Sequence, residues 1–209
     1  MTTETQIEKA RAYYKAKKYP QSLELFEEII ESGHELDLID KERYAWDLYF
    51  VNIKENSNIK EIEESAKKII ENVNQKNSSM VNKPCPYTLS VIKIMKHYYE
   101  NDNWVNVLRW ASKLKPEYLS NQHFKPNADV TYNSNKENWY LQTTKSLLNL
   151  EKYDQTLDYC LKALDNIPNF NNNNDIWFKL RIAQSYKELG EYDKSIEYLN
   201  DILKFKKDW

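Results

Sequence analysis

The sequence predicts an all-α chain built from about five repeated helix–turn–helix units, and three observations carry that expectation. Glycine occurs only twice, at Gly33 and Gly190, where an average usage of about 7% would place roughly fourteen in a chain of 209 residues. The six prolines, Pro20, Pro84, Pro86, Pro116, Pro126 and Pro168, fall where a helix would begin or end, as expected of a residue that lacks an N–H and blocks a helix interior. Third, an aromatic residue followed by small or apolar residues three, seven and ten positions on recurs along the chain. Those spacings place the side chains on one helical face.

Taken in order, the first copy is "YKAKKYPQSLELFEEII", with Tyr19 followed by Ser22, Phe26 and Ile29. The second, weaker copy lies in "VNIKENSNIKEIEESAKKII", where Ile59 precedes Ile62, Ala66 and Ile69. The third, "YYENDNWVNVLRWASKL", puts Trp104 before Val107, Ala111 and Leu114. The fourth, "LLNLEKYDQTLDYCLKAL", puts Tyr153 before Thr156, Cys160 and Ala163. The fifth, "KELGEYDKSIEYLNDIL", puts Tyr192 before Ser195, Leu199 and Ile202. Every copy opens on a helix end and a short turn, so each reads as the second helix of a hairpin of helices.

These residues resemble the tetratricopeptide repeat, two antiparallel helices in 34 residues. The resemblance gives units of approximately 3–36, 43–76, 88–121, 137–170 and 176–209. It assigns Tyr13, Ile53, Tyr98, Leu147 and Tyr186 to the aromatic slot of the first helix, Trp46 to the early tryptophan and Pro168 to the terminal proline. It implies a right-handed α-solenoid, one cooperative stack because no single unit can bury its apolar face alone. The pattern is also broken. The glycine of the first helix is replaced by Ala10, Phe50, Met95, Thr144 and Ala183, and unit two is the least typical. The connections at 77–87 and 122–136 exceed the pattern and are expected either as loops on one edge or as local changes in the superhelical pitch. The closing "KKDW" looks like a fresh beginning, with Asp208 as N-cap and Trp209 as the first residue of a further helix. The chain is therefore read as the N-terminal part of a longer protein, or as one that covers the apolar stripe of its 195–209 end by self-association.

Composition excludes several function classes. With two glycines there is no phosphate-cradling loop and no dinucleotide fingerprint. A net charge of −2 gives no global pull toward nucleic acid or anionic lipid. No apolar run approaches a membrane span, and the start lacks the layout of a secretory signal. Cys85 and Cys160 make no disulfide framework, which points to a reducing, cytoplasmic setting. His34 and His123 fall in connections, and His97 has only Lys93 and Asn101 at ligand spacing on its helix. Cys85 sits between two prolines, as in a helix-entry turn, and Cys160 takes a core slot. Neither a nucleophile–base pair nor a metal or cofactor site emerges. The reading is not an enzyme.

What the resemblance does imply is a concave groove lined by the first helices. The groove-facing positions are Arg11, Tyr14 and Lys15 in unit one, Lys93, Lys96 and Tyr99 in unit three, Gln142 and Lys145 in unit four, and Arg181, Gln184 and Lys187 in unit five. Leu48 and Val51 interrupt this basic-leaning stripe in unit two, while the outer helix "PQSLELFEEIIES" is acidic. The expected function is a protein–protein interaction scaffold whose groove binds an acidic or amphipathic peptide or partner segment. The alternative is a nucleic-acid-binding module, with Tyr14, Tyr99 and Trp177 as stacking platforms between cations. A fainter likeness, in texture only, is to prokaryotic repeat proteins that accompany conflict and anti-phage systems.

Overall fold

The computed structural model describes residues 2–75, 85–119 and 134–205. The described residues form ten α-helices and three short helical turns joined by short connections, with no strand among them. In chain order they are α1 (Thr3–Lys15), α2 (Tyr19–Glu31), α3 (Leu38–Leu48), a π-helical turn (Tyr49–Ile53), α4 (Ile59–Asn72), α5 (Pro86–Glu100), α6 (Trp104–Ala111), a 3-10 turn (Pro116–Tyr118), α7 (Asn135–Asn149), α8 (Tyr153–Asn166), a 3-10 turn (Asn171–Asn173), α9 (Asp175–Glu188) and α10 (Tyr192–Phe205). The chain divides into two compact units, Met1–Ile94 and Met95–Trp209, with the boundary inside α5. Most of the long connections, His123, and the helix start read into Asp208 and Trp209 lie outside the described residues.

Each aromatic or apolar residue that heads the sequence pattern is the first residue of a second helix: Tyr19, Ile59, Trp104, Tyr153 and Tyr192 begin α2, α4, α6, α8 and α10. α1 starts at Thr3 as the resemblance places it, and the other first helices start slightly earlier, most visibly in unit two, where α3 begins at Leu38 rather than near 43. Asp37 sets that start by capping the Asp40 N–H with its carboxylate. Asn58, Asn103 and Ser134 cap α4, α6 and α7 in the same way.

One turn joins the two helices in four of the five units. After α1, α5, α7 and α9, the residues Lys17, Asp102, Glu151 and Gly190 take a left-handed backbone, with φ of 57°, 53°, 57° and 79°. Their N–H groups donate to Tyr14, Tyr99, Leu148 and Lys187, and the next N–H donates to Tyr13, Tyr98, Leu147 and Tyr186. This is the Schellman arrangement, which satisfies the last carbonyls of a helix and turns the chain back on itself. The four acceptors are the residues that the resemblance puts in the aromatic slot. Only one of the four turns uses glycine.

In the first unit, α2 folds back on α1 and α3 packs on both. Ala10, Ser22, Phe26, Ile29, Ala45, Leu48, Ile53, Ala66 and Ile69 are fully buried there. The Ser22 hydroxyl donates across the hairpin to the Ala10 carbonyl at 3.1 Å. In the second unit, α6 packs on α7, α8 on α7 and α9, and α10 on α9. Ser195 repeats the hairpin bond by donating to the Ala183 carbonyl at 2.8 Å. Trp139 ties α7 to the end of α6 by donating Nε1–H to the Ala111 carbonyl at 3.0 Å. The pattern residues of the first four second helices are buried, whereas in α10 Ser195 is buried, Ile202 half-buried and Leu199 exposed, with Ile196 and Leu203 exposed beside them.

Candidate functional site

Within the second unit the first helices α7 and α9 pack side by side, and a trough of about 420 Å³ runs along them. Tyr99 of α5, Leu141, Lys145 and Leu148 of α7, and Asn174, Trp177, Leu180, Arg181 and Gln184 line it. The wall thus holds two cations, two aromatic rings and three leucines, and no acid. Trp177 is 53% exposed, so its indole is presented to solvent rather than packed away. The start of α9 is anchored by Glu137, fully buried on α7, whose Oε1 accepts from Asn174 Nδ2 at 2.6 Å and from the Asn171 N–H at 3.3 Å.

Arg181 forms the floor. It is 7% exposed, and Nη1 donates to the Leu141 carbonyl at 2.9 Å and to Thr144 Oγ1 at 2.6 Å. Its guanidinium carbon lies 5.9 Å from the centre of the buried Phe178 ring. Burial lowers its pKa below the ordinary arginine value, an effect opposed by Cys160 and by the Tyr99 hydroxyl. Every one of these neighbours is neutral. Among the described residues no carboxylate forms an ion pair with Arg181 or with Lys145, which is half-buried beside it.

The remaining expected groove residues divide sharply. Lys15, Lys96, Gln184 and Lys187 are exposed, as the helical spacing anticipates, with Lys96 3.6 Å from Glu100 and Lys187 3.3 Å from Glu188. Gln142 does not lie on the solvent stripe: it is 8% exposed and faces the packed side of α7. Arg181 departs from that stripe in the same way, because Thr144 and the Leu141 carbonyl draw it inward. Lys93 in the first unit is also turned from open solvent, its Nζ donating to the carbonyls of Ile53 (2.6 Å) and Lys54 (2.7 Å) at the end of the π-helical turn. Leu48 is core, while Val51 is exposed.

Arg11 is neutralised. Its guanidinium meets Asp37 at 2.9 Å and Asp40 at 2.6 Å, and Arg43 reaches the other Asp40 oxygen at 2.6 Å. Burial alone would raise the Asp40 pKa, but the hydrogen bonds from Arg11 and Arg43 outweigh it and hold the carboxyl below its ordinary value. Tyr14 is half-buried, and burial followed by the nearby Asp47 pushes its hydroxyl up to about 12. Asp47 itself is fully buried with no hydrogen-bond partner for either oxygen, and burial pushes its carboxyl up to about 7. The first unit therefore carries acids facing Arg11 and Arg43, and a buried Asp47, that the basic-stripe expectation omits. Asp40, Tyr44, Asp47 and Leu48 recur at helical spacing, and that periodicity is the signal that places both acids on the inner face of α3.

The other chemical candidates remain structural. Cys160 is fully buried, and burial pushes its thiol up to about 12, far from a reactive thiolate. Cys85 is buried, its Sγ 3.1 Å from Thr88 Oγ1 at the start of α5. No group of three or more His, Cys, Asp or Glu among the described residues is placed to hold a metal ion. No described helix is long and apolar enough to cross a membrane.

The family profile described as tetratricopeptide repeat matches residues 179–205, from within α9 to the end of α10. The chain carries a tetratricopeptide repeat. Its two helices are joined at Gly190, and the same hydrogen-bonded turn closes the hairpins at Lys17, Asp102 and Glu151. Solved structures similar to the chain include MamA from AMB-1, 14% identical, covering 98% of this chain and 99% of that one with a TM-score of 0.46. MamA from MSR-1 is 12% identical, with coverage of 99% and 97% and a TM-score of 0.44. TPR-like repeats from Podosopora anserina are 12% identical, with coverage of 97% and 94% and a TM-score of 0.48. No curated protein matches the chain.

Proposed function

We propose that this protein is a non-catalytic interaction scaffold that binds a peptide or partner-protein segment along the α7–α9 face of its second unit. One observation carries the reading: an acid-free trough of about 420 Å³ in which an exposed tryptophan and three leucines surround Lys145 and Arg181. Aromatic and arginine anchors in a concave, partly apolar surface are what concentrate binding energy at protein interfaces. The tetratricopeptide hairpin supplies the rigid backing.

Selection from a library of random peptides provides the test. The double variant Lys96→Glu/Lys145→Glu is expected to lose the selected peptides while keeping its melting temperature, since neither side chain is buried. Glu27→Lys/Glu31→Lys, on the outer helix of the first unit, is expected to keep them. Loss in the second variant with retention in the first rules the proposal out. The exposed Trp177 beside two cations also suits stacking on a single-stranded nucleic acid. Salt separates the two readings, because phosphate contacts weaken steeply as salt rises and an apolar peptide trough does so much less.

A further inference from the structure

The geometry points to a specific reader: we infer that the Arg181 trough takes the side-chain carboxylate of an Asp or Glu in a partner peptide, with an apolar residue beside it on Trp177 and the leucines. The inference rests on the peptide-binding reading above and adds the chemistry of the bound segment.

A guanidinium 7% exposed, held by a backbone carbonyl, a threonine hydroxyl and an aromatic face, is a buried charge without a counter-charge. Such a charge is costly unless an anion joins it. Both hydrogen bonds to α7 leave from Nη1, so α7 does not use the Nε–Nη2 edge, the one that grips a carboxylate through two parallel bonds. Lys145 lines the same wall, and no lining residue is acidic. An arriving carboxylate therefore finds two cations and no acidic side chain, with the neutral Tyr99 hydroxyl the one wall group already turned to the guanidinium.

The length of the trough decides between a side-chain carboxylate and a chain terminus. On α7 the lining runs from Leu141 to Leu148, and on α9 from Asn174 to Gln184. At about 1.5 Å per residue these spans are roughly 10 and 15 Å. Arg181 lies inside the second span, with Trp177 on one side and Gln184 on the other. A segment lying in the trough passes over the arginine instead of ending on it. Two cations are also too few to track a phosphate backbone, whose recognition rests on a charged groove several nucleotides long.

Twelve-residue random peptides with both termini blocked are the probe, selected against the full chain and then measured singly. The enriched peptides are expected to carry Asp or Glu within two positions of a large apolar residue. Changing that acid to its amide should weaken binding roughly ten-fold or more, as for a lost hydrogen bond to a charged group. Against Arg181→Met the acid and the amide should bind alike. Lys145→Gln, a change at a half-exposed side chain, should reduce the preference for the acid and so provides the same readout if Arg181→Met does not fold. If peptides bind with no enrichment for acids, or if both variants keep the full preference, this inference is overturned and the peptide scaffold stands. If no peptide binds, the scaffold reading falls with it. If a free C-terminal carboxylate restores binding to amide peptides, or if an oligothymidylate displaces the acidic peptides at lower concentration than they bind, the side-chain reader is likewise overturned.

Discussion

Replacing Asp47 by Asn should stabilise the protein, and by an amount that depends on pH. Asp47 sits on α3 with no exposed surface, and neither oxygen has a hydrogen-bond partner. The one hydroxyl that favours its charged form, that of Ser22, donates to the Ala10 carbonyl. Removal from water thus dominates, and the carboxyl ionises near pH 7 instead of its ordinary 3.8. A group with a raised folded-state pKa contributes most below its unfolded pKa and loses that contribution as pH rises through the folded value. At about 1.4 kcal/mol per pH unit, ionisation of Asp47 costs on the order of 4 kcal/mol above pH 7 and roughly 1.6 kcal/mol near pH 5. An amide of the same shape avoids that cost, because it carries no charge at any pH. Urea unfolding of parent and variant, followed by far-ultraviolet circular dichroism at about pH 5 and pH 8, reads the difference. The advantage of Asp47→Asn should rise about two-and-a-half-fold between the two. An advantage of equal size at both pH values, or a less stable variant at pH 8, refutes the reasoning.

Asp40 should show the opposite slope: its pKa is held low by Arg11 and Arg43, so its contribution is present above pH 3.8 and lost as pH falls through the lowered value. Asp40→Asn is expected to cost about 2 kcal/mol at neutral pH, less than a fully buried pair because both arginines keep some solvent, and nothing at strongly acidic pH; acid titration of the melting temperature checks it. At the turns, Glu151→Gly should stabilise by about 0.5–1 kcal/mol by relieving a left-handed backbone, as read by urea midpoint. Gly190→Ala should destabilise by about 1 kcal/mol, a purely backbone cost since an added Cβ meets nothing within 4 Å.

The second helices were legible because an aromatic start followed by small side chains on one face specifies both where a helix begins and what it buries. Tyr153, Thr156, Cys160 and Ala163 illustrate this, the last three being fully buried. The inner faces of the first helices were not legible to the same degree. Periodicity gives the direction of a side chain on its own helix but not what the neighbouring helix offers it. Arg181 has the spacing of a solvent cation, yet Thr144, standing where the repeat favours glycine, gives it a hydroxyl to reach inward for. Arg11 and Lys93 are likewise decided by groups distant in sequence, Asp40 and the carbonyls of Ile53 and Lys54. Asp47 escapes for a different reason. A lone buried carboxylate contradicts the usual preference of acids for the surface, so only its helical register with Tyr44 and Leu48 marks it.

The hairpin turns have a consequence for how such a chain can diverge. Both bonds that close each turn run between main-chain atoms, so the side chain at the left-handed position takes no part in closing it. A lysine, an aspartate, a glutamate and a glycine all occupy that position in one molecule. Residue identity there can drift at a cost of about 1 kcal/mol per turn while the hairpin persists. The stretch that the family profile matches, residues 179–205, contains the one of these four turns with glycine at that position. The turns at Asp102 and Glu151 hold the carbonyls of Tyr99 and Leu148, two residues of the trough, so the turn at Lys17 in the first unit is the place where a label or a short tag could be introduced away from the α7–α9 face.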